Sequence, residues 1–384
     1  MHKTRLWGDV LFALFALPLF AACGSNPTTE DNTARVCPPK TNKTTLPGSG
    51  PGGAAGALTP VTTFGANPAA LEMYVHAPAS GKASAIVVAM HGCTQTASAY
   101  AAAGWNEVAD AAGFVVVYPQ QTSQNNSTQC FRWWDAAQTT RDKGEAASIA
   151  AMVAYAKSTY GATHAYVTGL SAGAAMTAVM LATYPDVFEA GAIMAGLPYD
   201  CATSQTDAYA CMNPGKDKAP SAWAALVPKV AGASAPRVSI WHGDADYTVR
   251  PANLEQLVRQ WTAVNGVADT PTASGVVGKA THDEFRDASG VLRVESWKIS
   301  GMAHGVSVDP KGGCGTAGAY VLDEGLCSTR KAAEFFGLVA PDSVTPGGPG
   351  GTSGGSTGAT SGSPGSSGSS GATGSGGANA ADCP

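Results

Sequence analysis

Tyr166-Val167-Thr168-Gly169-Leu170-Ser171-Ala172-Gly173-Ala174-Ala175-Met176 is the stretch that decides how this chain is read. The apolar run Ala165–Val167 reads as a strand, and the small-residue run Ala174–Thr183 reads as a helix. Between them stands G-x-S-x-G, from Gly169 to Gly173. A strand that turns at once into a helix through this pattern holds its serine on a strained bend, hydroxyl outward. The glycines leave room for the bend. The next backbone N–H then points where an oxyanion would form. Short Gly/Ser strings also arise by chance in a chain with 47 glycines. The setting therefore carries the reading, and it makes Ser171 the candidate nucleophile.

A serine hydroxyl needs a base within reach and a group that orients the base. Two downstream loops supply them, each just past a predicted strand: His242-Gly243-Asp244-Ala245-Asp246-Tyr247-Thr248-Val249 and Gly301-Met302-Ala303-His304-Gly305. The order Ser, Asp, His is that of α/β-hydrolases. Asp246 is expected as the orienting acid, ahead of Asp244, because it comes later in its loop. His304, set among small residues, is expected as the base. His91 and His242 end strands ahead of glycines and are expected to hydrogen-bond loop backbone; His76, His164 and His282 read as surface or strand residues.

The oxyanion donors expected are the N–H of Ala172 and the N–H of Cys93, in the loop His91-Gly92-Cys93-Thr94-Gln95 after an early strand. Phe131-Arg132-Trp133-Trp134 follows an Asn/Gln-rich loop, and Trp133 and Trp134 fit either a substrate-binding wall or core packing. Trp105, Trp223 and Trp261 sit in helical segments and read as core.

The rest of the central region alternates strand and helix signals. Leu71, Met73 and Val75 alternate with polar or amphipathic neighbours, as on a half-buried strand. Ala85–Met90 and Phe114–Tyr118 are unbroken apolar runs, which suits strands covered on both faces. Ala165–Thr168, Ala190–Ala195, Val238–Trp241 and Leu292–Ile299 continue the series. Asp142 with Glu145 has the spacing of a capping box before a helix, and Asn253–Val264 places Leu254, Leu257, Val258 and Trp261 at helical spacing. The expected fold class is α/β, with a mostly parallel central sheet and helices on both faces.

Of the 384 residues, 57–340 are expected to form this catalytic domain. Residues 1–22 read as a signal peptide, with Lys3 and Arg5 ahead of the apolar run Val10–Ala22. Residues 23–56 read as a flexible tether, and 341–384 as a Gly/Ser-rich tail too poor in apolar side chains to order itself. Cys23 follows Phe20-Ala21-Ala22 as in a bacterial lipoprotein processing box, although Phe20 stands where that box has Leu. Two localisations follow: secretion, or a lipoprotein of the cell surface or outer membrane. A membrane contact is expected only through that N-terminal lipid anchor.

Export gives the nine cysteines meaning. With Cys23 set aside their number is even, as expected for disulfides in an oxidising compartment. Proximity suggests Cys201–Cys211 and Cys314–Cys327, and Cys93–Cys130 would then tie two loops of the active face. Cys37 and Cys383 either pair with each other or stay free. Metal-ligand spacings such as C-x-x-C and H-E-x-x-H are absent from the sequence, so no metal or organic cofactor is expected. A net charge of −5 and the lack of a Lys/Arg cluster argue against nucleic acid as a partner.

With these residues in view, the chain resembles the extracellular polyhydroxybutyrate depolymerase-type esterases, a family that also includes feruloyl and acetylxylan esterases. The resemblance runs from about Leu71 to Leu338. It rests on His91–Gln95, Gly113–Gln121, Tyr166–Met176, Trp241–Val249, Gly301–Gly305 and Ser328–Leu338 with Phe335-Phe336-Gly337. It implies an α/β-hydrolase fold and a triad at Ser171, Asp246 and His304. Members that degrade solid polyester usually add a substrate-binding domain after a linker. Here the Gly/Ser-rich stretch runs to Pro384, so cleavage of oligomers or soluble esters is the firmer expectation and hydrolysis of insoluble polymer the weaker one. The expected function is a secreted serine esterase acting on poly(3-hydroxybutyrate)-type polyesters or their oligomers. The alternatives are feruloyl or acetyl groups on plant-wall polysaccharide, and a non-catalytic surface lipoprotein that only binds.

Overall fold

The computed structural model describes residues 58–341. The expected signal peptide, the whole tether and all of the Gly/Ser-rich tail but Pro341 lie outside them, and so do Cys23, Cys37 and Cys383. Along the described chain the strands are β1 (Thr59–Val61), β2 (Glu72–His76), β3 (Ala85–Met90), β4 (Val115–Gln120), β5 (His164–Leu170), β6 (Ala190–Met194), β7 (Arg237–Gly243), β8 (Ala273–Val277), β9 (Ala280–Arg286), β10 (Leu292–Ile299), β11 (Val306–Val308) and β12 (Val321–Asp323). The helices are α1 (Ala97–Ala101), α2 (Trp105–Ala112), α3 (Ala136–Thr139), α4 (Gly144–Tyr160), α5 (Ala172–Thr183), α6 (Gln205–Met212), α7 (Pro220–Ala224), α8 (Ala252–Val264) and α9 (Ser328–Phe336).

Ten strands form one sheet in the order β1-β2-β4-β3-β5-β6-β7-β10-β9-β8. Its centre, from β4 through β10, is parallel. β1 and β2 at one edge, and β9 and β8 at the other, run antiparallel. All six residues of β3 are buried, as its unbroken apolar run requires. Ile86 and Val88 face one core with Ile149 and Met152 of α4; Val87 and Ala89 face the other with Trp105 of α2. Every residue of α5 is buried. Its small side chains let it lie close against the sheet, which is why it shows no polar face.

The expected strands are all present, and the hairpin β8–β9 is an addition. β8 is exposed along its whole length and β9 reads ATHDEFR, so neither offers an apolar run to find. One expectation is corrected. Asp142 does not open a capping box: α4 is capped at Lys143, and Asp142 sits before it at a left-handed φ of 64°. Glu145 turns inward to accept from Gln121 and Arg132 instead of reaching back to the helix start.

At the far end of the chain, Phe336 of α9 stacks on Tyr166 of β5 with centroids 4.8 Å apart, and on Trp105 at 6.2 Å. Arg237 lies 4.8 Å over the Phe335 ring and donates to the Phe335 carbonyl at 2.6 Å. Burying each phenylalanine contributes about 1.5–3 kcal/mol. The Phe-Phe-Gly ending therefore clamps the last helix onto the sheet, and Gly337 closes it at φ 84°. A parallel centre with a serine turn after β5, an acid loop after β7 and a histidine loop after β10 is the α/β-hydrolase arrangement.

Candidate active site

Ser171 sits between β5 and α5 at φ 57° and ψ −116°, in backbone space that costs a non-glycine residue about 1–3 kcal/mol. Two ties hold it there. Its N–H donates to the Met194 carbonyl at 3.0 Å, and its carbonyl accepts from Ala175 at 2.9 Å. The two motif glycines are required by contact rather than by φ. A Cβ on Gly169 would collide with the Gly173 backbone, and one on Gly173 with the carbonyls of Met90 and His91. The serine turn is thus pressed directly against the end of β3.

That closeness brings in the loop after β3. A Cβ added to Gly92 would stand 3.4 Å from the Ser171 Cβ, so glycine lets the loop approach. Neither the Cys93 N–H nor the Ala172 N–H has an acceptor among the described residues. Both were the expected oxyanion donors. The Gly92–Cys93 peptide is pinned on its other side, where His91 Nδ1 donates to the Gly92 carbonyl at 2.7 Å and Gln95 N–H donates at 3.3 Å. His91 Nε2 accepts from the Gln121 N–H at 3.1 Å, which fixes the proton on Nδ1. Burial lowers the His91 imidazole to about 4. The Gln121 amide continues to Glu145 at 2.6 Å, and Glu145 also accepts from the Arg132 N–H at 2.8 Å. Burial raises Glu145 to about 7, against the opposing pull of Arg132 and Gln121. Cys93 is bonded to Cys130, and Thr94 N–H donates to the Thr128 carbonyl at 2.8 Å.

Asp246 and His304, the expected acid and base, are brought together. His304 Nδ1 lies 2.7 Å from Asp246 Oδ2. Asp246 Oδ1 accepts from the N–H groups of Thr248 and Val249, each at 2.9 Å. Burial would raise the Asp246 carboxyl, but hydrogen bonds from His242 and His304 outweigh it and hold the group well below the usual carboxylate range. The competitor Asp244 has a different task. Its Oδ1 accepts from the Gly301 N–H at 2.6 Å, and Ala245 N–H donates to the Met302 carbonyl at 3.1 Å, so the acid loop and the histidine loop are laced together.

Two bridges join this pair to the serine. Val249, whose N–H holds Asp246, lines the same cavity as Ser171. On the other side Gln95 Oε1 accepts from the Gly92 N–H while its amide reaches the Ala319 carbonyl, and the next ring, Tyr320, stands edge-on to His304 at 6.0 Å.

The cavity beside Ser171 has a volume of about 100 Å³. Trp133 and Trp134, in edge-to-face contact at 5.6 Å, form one wall together with Cys93 and Cys130. Trp133 is also buried, so it packs in the core as well as lining the cavity. A further part of the lining was not foreseen. It is one face of α6: Gln205, Ala208, Tyr209 and Met212 all line the cavity. Their spacing of three, four and seven is a helical stripe visible in the sequence. The α6 segment is closed by Cys201–Cys211, and Cys314–Cys327 is the third bridge, so the three expected pairings are those formed. Trp105, Trp223 and Trp261 are fully buried core residues. His76, His164 and His282 pair with Asp110, Glu189 and Glu295 away from the serine. Among the described residues no His/Cys/Asp/Glu group is arranged to hold a metal ion.

The chain is similar to known esterases. The family described as "Esterase PHB depolymerase" matches residues 70–285. Poly(3-hydroxyalkanoate) depolymerase C of Paucimonas lemoignei is 49% identical over 298 residues, covering 74% of this chain and 70% of that protein. Feruloyl esterase B of Talaromyces stipitatus is 35% identical over 271 residues, covering 66% and 74%. Among solved structures, the acetyl xylan esterase from Aspergillus awamori superposes with a TM-score of 0.62 at 29% identity, over 74% of this chain and all of that one. The chain belongs to the esterase PHB depolymerase family and is a carboxylic ester hydrolase.

Proposed function

We propose that the protein hydrolyses the ester bonds of poly(3-hydroxybutyrate)-type polyesters or their oligomers through an acyl-enzyme on Ser171. The observation that carries the chemistry is the 2.7 Å contact of Asp246 with His304, joined through Val249 to the cavity of a strained serine. Ser171 attacks the ester carbonyl as His304 takes its proton. The negative carbonyl oxygen is received by the N–H groups of Cys93 and Ala172. Asp246 keeps the imidazole in the required tautomer and stabilises its cation. The alcohol leaves with the proton from His304, and water, activated by the same ring, releases the acid and restores the serine. Trp133 and Trp134 hold the apolar part of the substrate against the disulfide wall.

The substrate class is supported by the 49% identity to a poly(3-hydroxyalkanoate) depolymerase, against 35% to a feruloyl esterase. A second reading, a plant-wall ester, is favoured by the structural match to an acetyl xylan esterase. Three disulfides in the described chain support work in an oxidising compartment outside the cytoplasm.

The test is release of acid from 3-hydroxybutyrate oligomers, methyl ferulate and acetylated xylan by the purified protein. Oligomers should be turned over fastest, and a higher kcat/KM on either plant-wall substrate transfers the protein to that class. Ser171→Ala should abolish turnover and labelling by a fluorophosphonate. If the parent protein resists that label, the binding-only alternative stands.

A further inference from the structure

His242 is the last residue but one of β7, four residues before Asp246, and its side chain is fully buried. Its Nε2 lies 2.8 Å from the Val249 carbonyl and 3.4 Å from Asp246 Oδ2. A carbonyl oxygen only accepts, so Nε2 carries the proton. That proton has a short leg to Val249 and a long leg to the carboxylate. The other ring nitrogen, Nδ1, is buried without a partner among the described residues. A buried ring that leaves one nitrogen unsatisfied is held for what its other nitrogen does.

We propose that His242 is a positioning residue for the ester hydrolysis: it braces the Asp246–Val249 turn and shares Asp246 Oδ2 with His304, so it sets how strongly the acid grips the base. This rests on the assignment of Asp246 and His304 given above. Three hydrogen bonds reach Asp246, from Thr248 and Val249 on Oδ1 and from His304 on Oδ2, and His242 Nε2 adds a longer contact to Oδ2 at 3.4 Å. Each donor stabilises the carboxylate and lowers its basicity. Without His242, Oδ2 answers to His304 alone, and the carboxylate's charge falls undivided on the ring it orients. The same ring holds the carbonyl of Val249, the residue that continues from the acid into the cavity wall. Among the other ionisable neighbours, Lys298 on β10 is the register partner of His242, Asp244 bonds the Gly301 N–H, Arg250 lies over the Tyr247 ring, and Tyr320 stands edge-on to His304.

The experiment compares the full-length protein with His242→Gln, His242→Asn and His242→Leu, assaying p-nitrophenyl butyrate hydrolysis across pH. A glutamine amide reaches the place of Nε2 and an asparagine amide does not. His242→Leu should lose kcat about tenfold with KM changed less than about twofold, because the base is misdirected while the cavity persists. Its acid limb of kcat/KM should move up by about half a pH unit. The far-downfield proton resonance of His304 Nδ1–H should move with it. His242→Gln should restore both kcat and the limb. Parental kcat and limb in His242→Leu would overturn the proposal, as would an unmoved limb with Leu and Gln equally slowed. Should the leucine protein fail to fold, the Gln and Asn variants decide, and identical profiles for those two overturn it. Asp246→Asn is assayed alongside. Parental turnover there would break the acid assignment itself, a separate outcome from any behaviour of His242.

Discussion

His91 Nδ1 donates to the carbonyl of Gly92 at 2.7 Å, and so grips the peptide whose opposite end is the Cys93 N–H. A peptide is planar, so fixing its carbonyl fixes the direction of its N–H. His91→Ala should therefore lower kcat by about a hundredfold, the scale of losing one oxyanion donor, while KM stays within a few-fold. Steady-state kinetics on a soluble ester checks this, and a loss confined to KM would assign the ring to substrate binding instead.

The Cys93–Cys130 bridge secures the same loop from the side. It spans 37 residues in sequence, for which the chain-entropy argument gives about 4 kcal/mol. Replacing both cysteines by serine should lower the unfolding free energy by a comparable amount and also slow kcat. The matching Cys201→Ser/Cys211→Ser protein loosens α6, so it should raise KM more than it lowers kcat. Denaturant unfolding and Michaelis kinetics on the two double variants separate these effects.

His91 and Glu145 are linked through Gln121 and respond to pH in opposite senses. Burial lowers His91 from 6.5 to about 4, so its stabilising contribution is lost as pH falls from about 6.5 toward 4. Burial raises Glu145 from 4.5 to about 7, so its contribution is present at low pH and lost as pH rises through 7. Within the shared window the two slopes cancel. Glu145→Gln removes one of them, so its stability should fall by roughly 3 kcal/mol relative to the parent between pH 7 and pH 4.5. Urea midpoints measured over that range decide it. Parallel curves for the two proteins would show that this carboxyl does not titrate there.

Gly173 and Gly161 make opposite demands. A Cβ on Gly173 meets the carbonyls of Met90 and His91, whereas Gly161 has open space but a φ of 78°. Gly173→Ala should cost roughly 3 kcal/mol or more through overpacking, and abolish turnover. Gly161→Ala should cost about 1–2 kcal/mol through backbone strain alone, with kcat retained. Thermal unfolding of both variants checks the contrast.

The strands of the parallel centre, the serine turn, the loops that bring Asp246 and His304 together and the disulfide partners were legible because each is encoded locally. An apolar run long enough to be covered twice declares a central strand, as Ala85–Met90 does. Gly169 and Gly173 announce a turn that tolerates no side chain. Sequence order then picks out Asp246 and His304, which the fold brings into contact.

What the chain alone did not decide is how side chains of mixed character divide their partners. Asp142 and Glu145 have capping-box spacing, yet Glu145 turns inward because the Gln121 and Arg132 donors lie there. His242 was expected on loop backbone and is there, but folding also brings it to Asp246. Asp244 and Asp246 differ by two positions in one loop, and the lacing of that loop to Gly301 and Met302 gives one a tether and the other a histidine. The hairpin β8–β9 shows the same limit from the other side, since an exposed edge needs no apolar pattern to exist. Periodicity and glycine placement report what a residue does to its own backbone. Hydrogen-bond partners drawn from distant segments exist only once the sheet has assembled, and they settled the remainder.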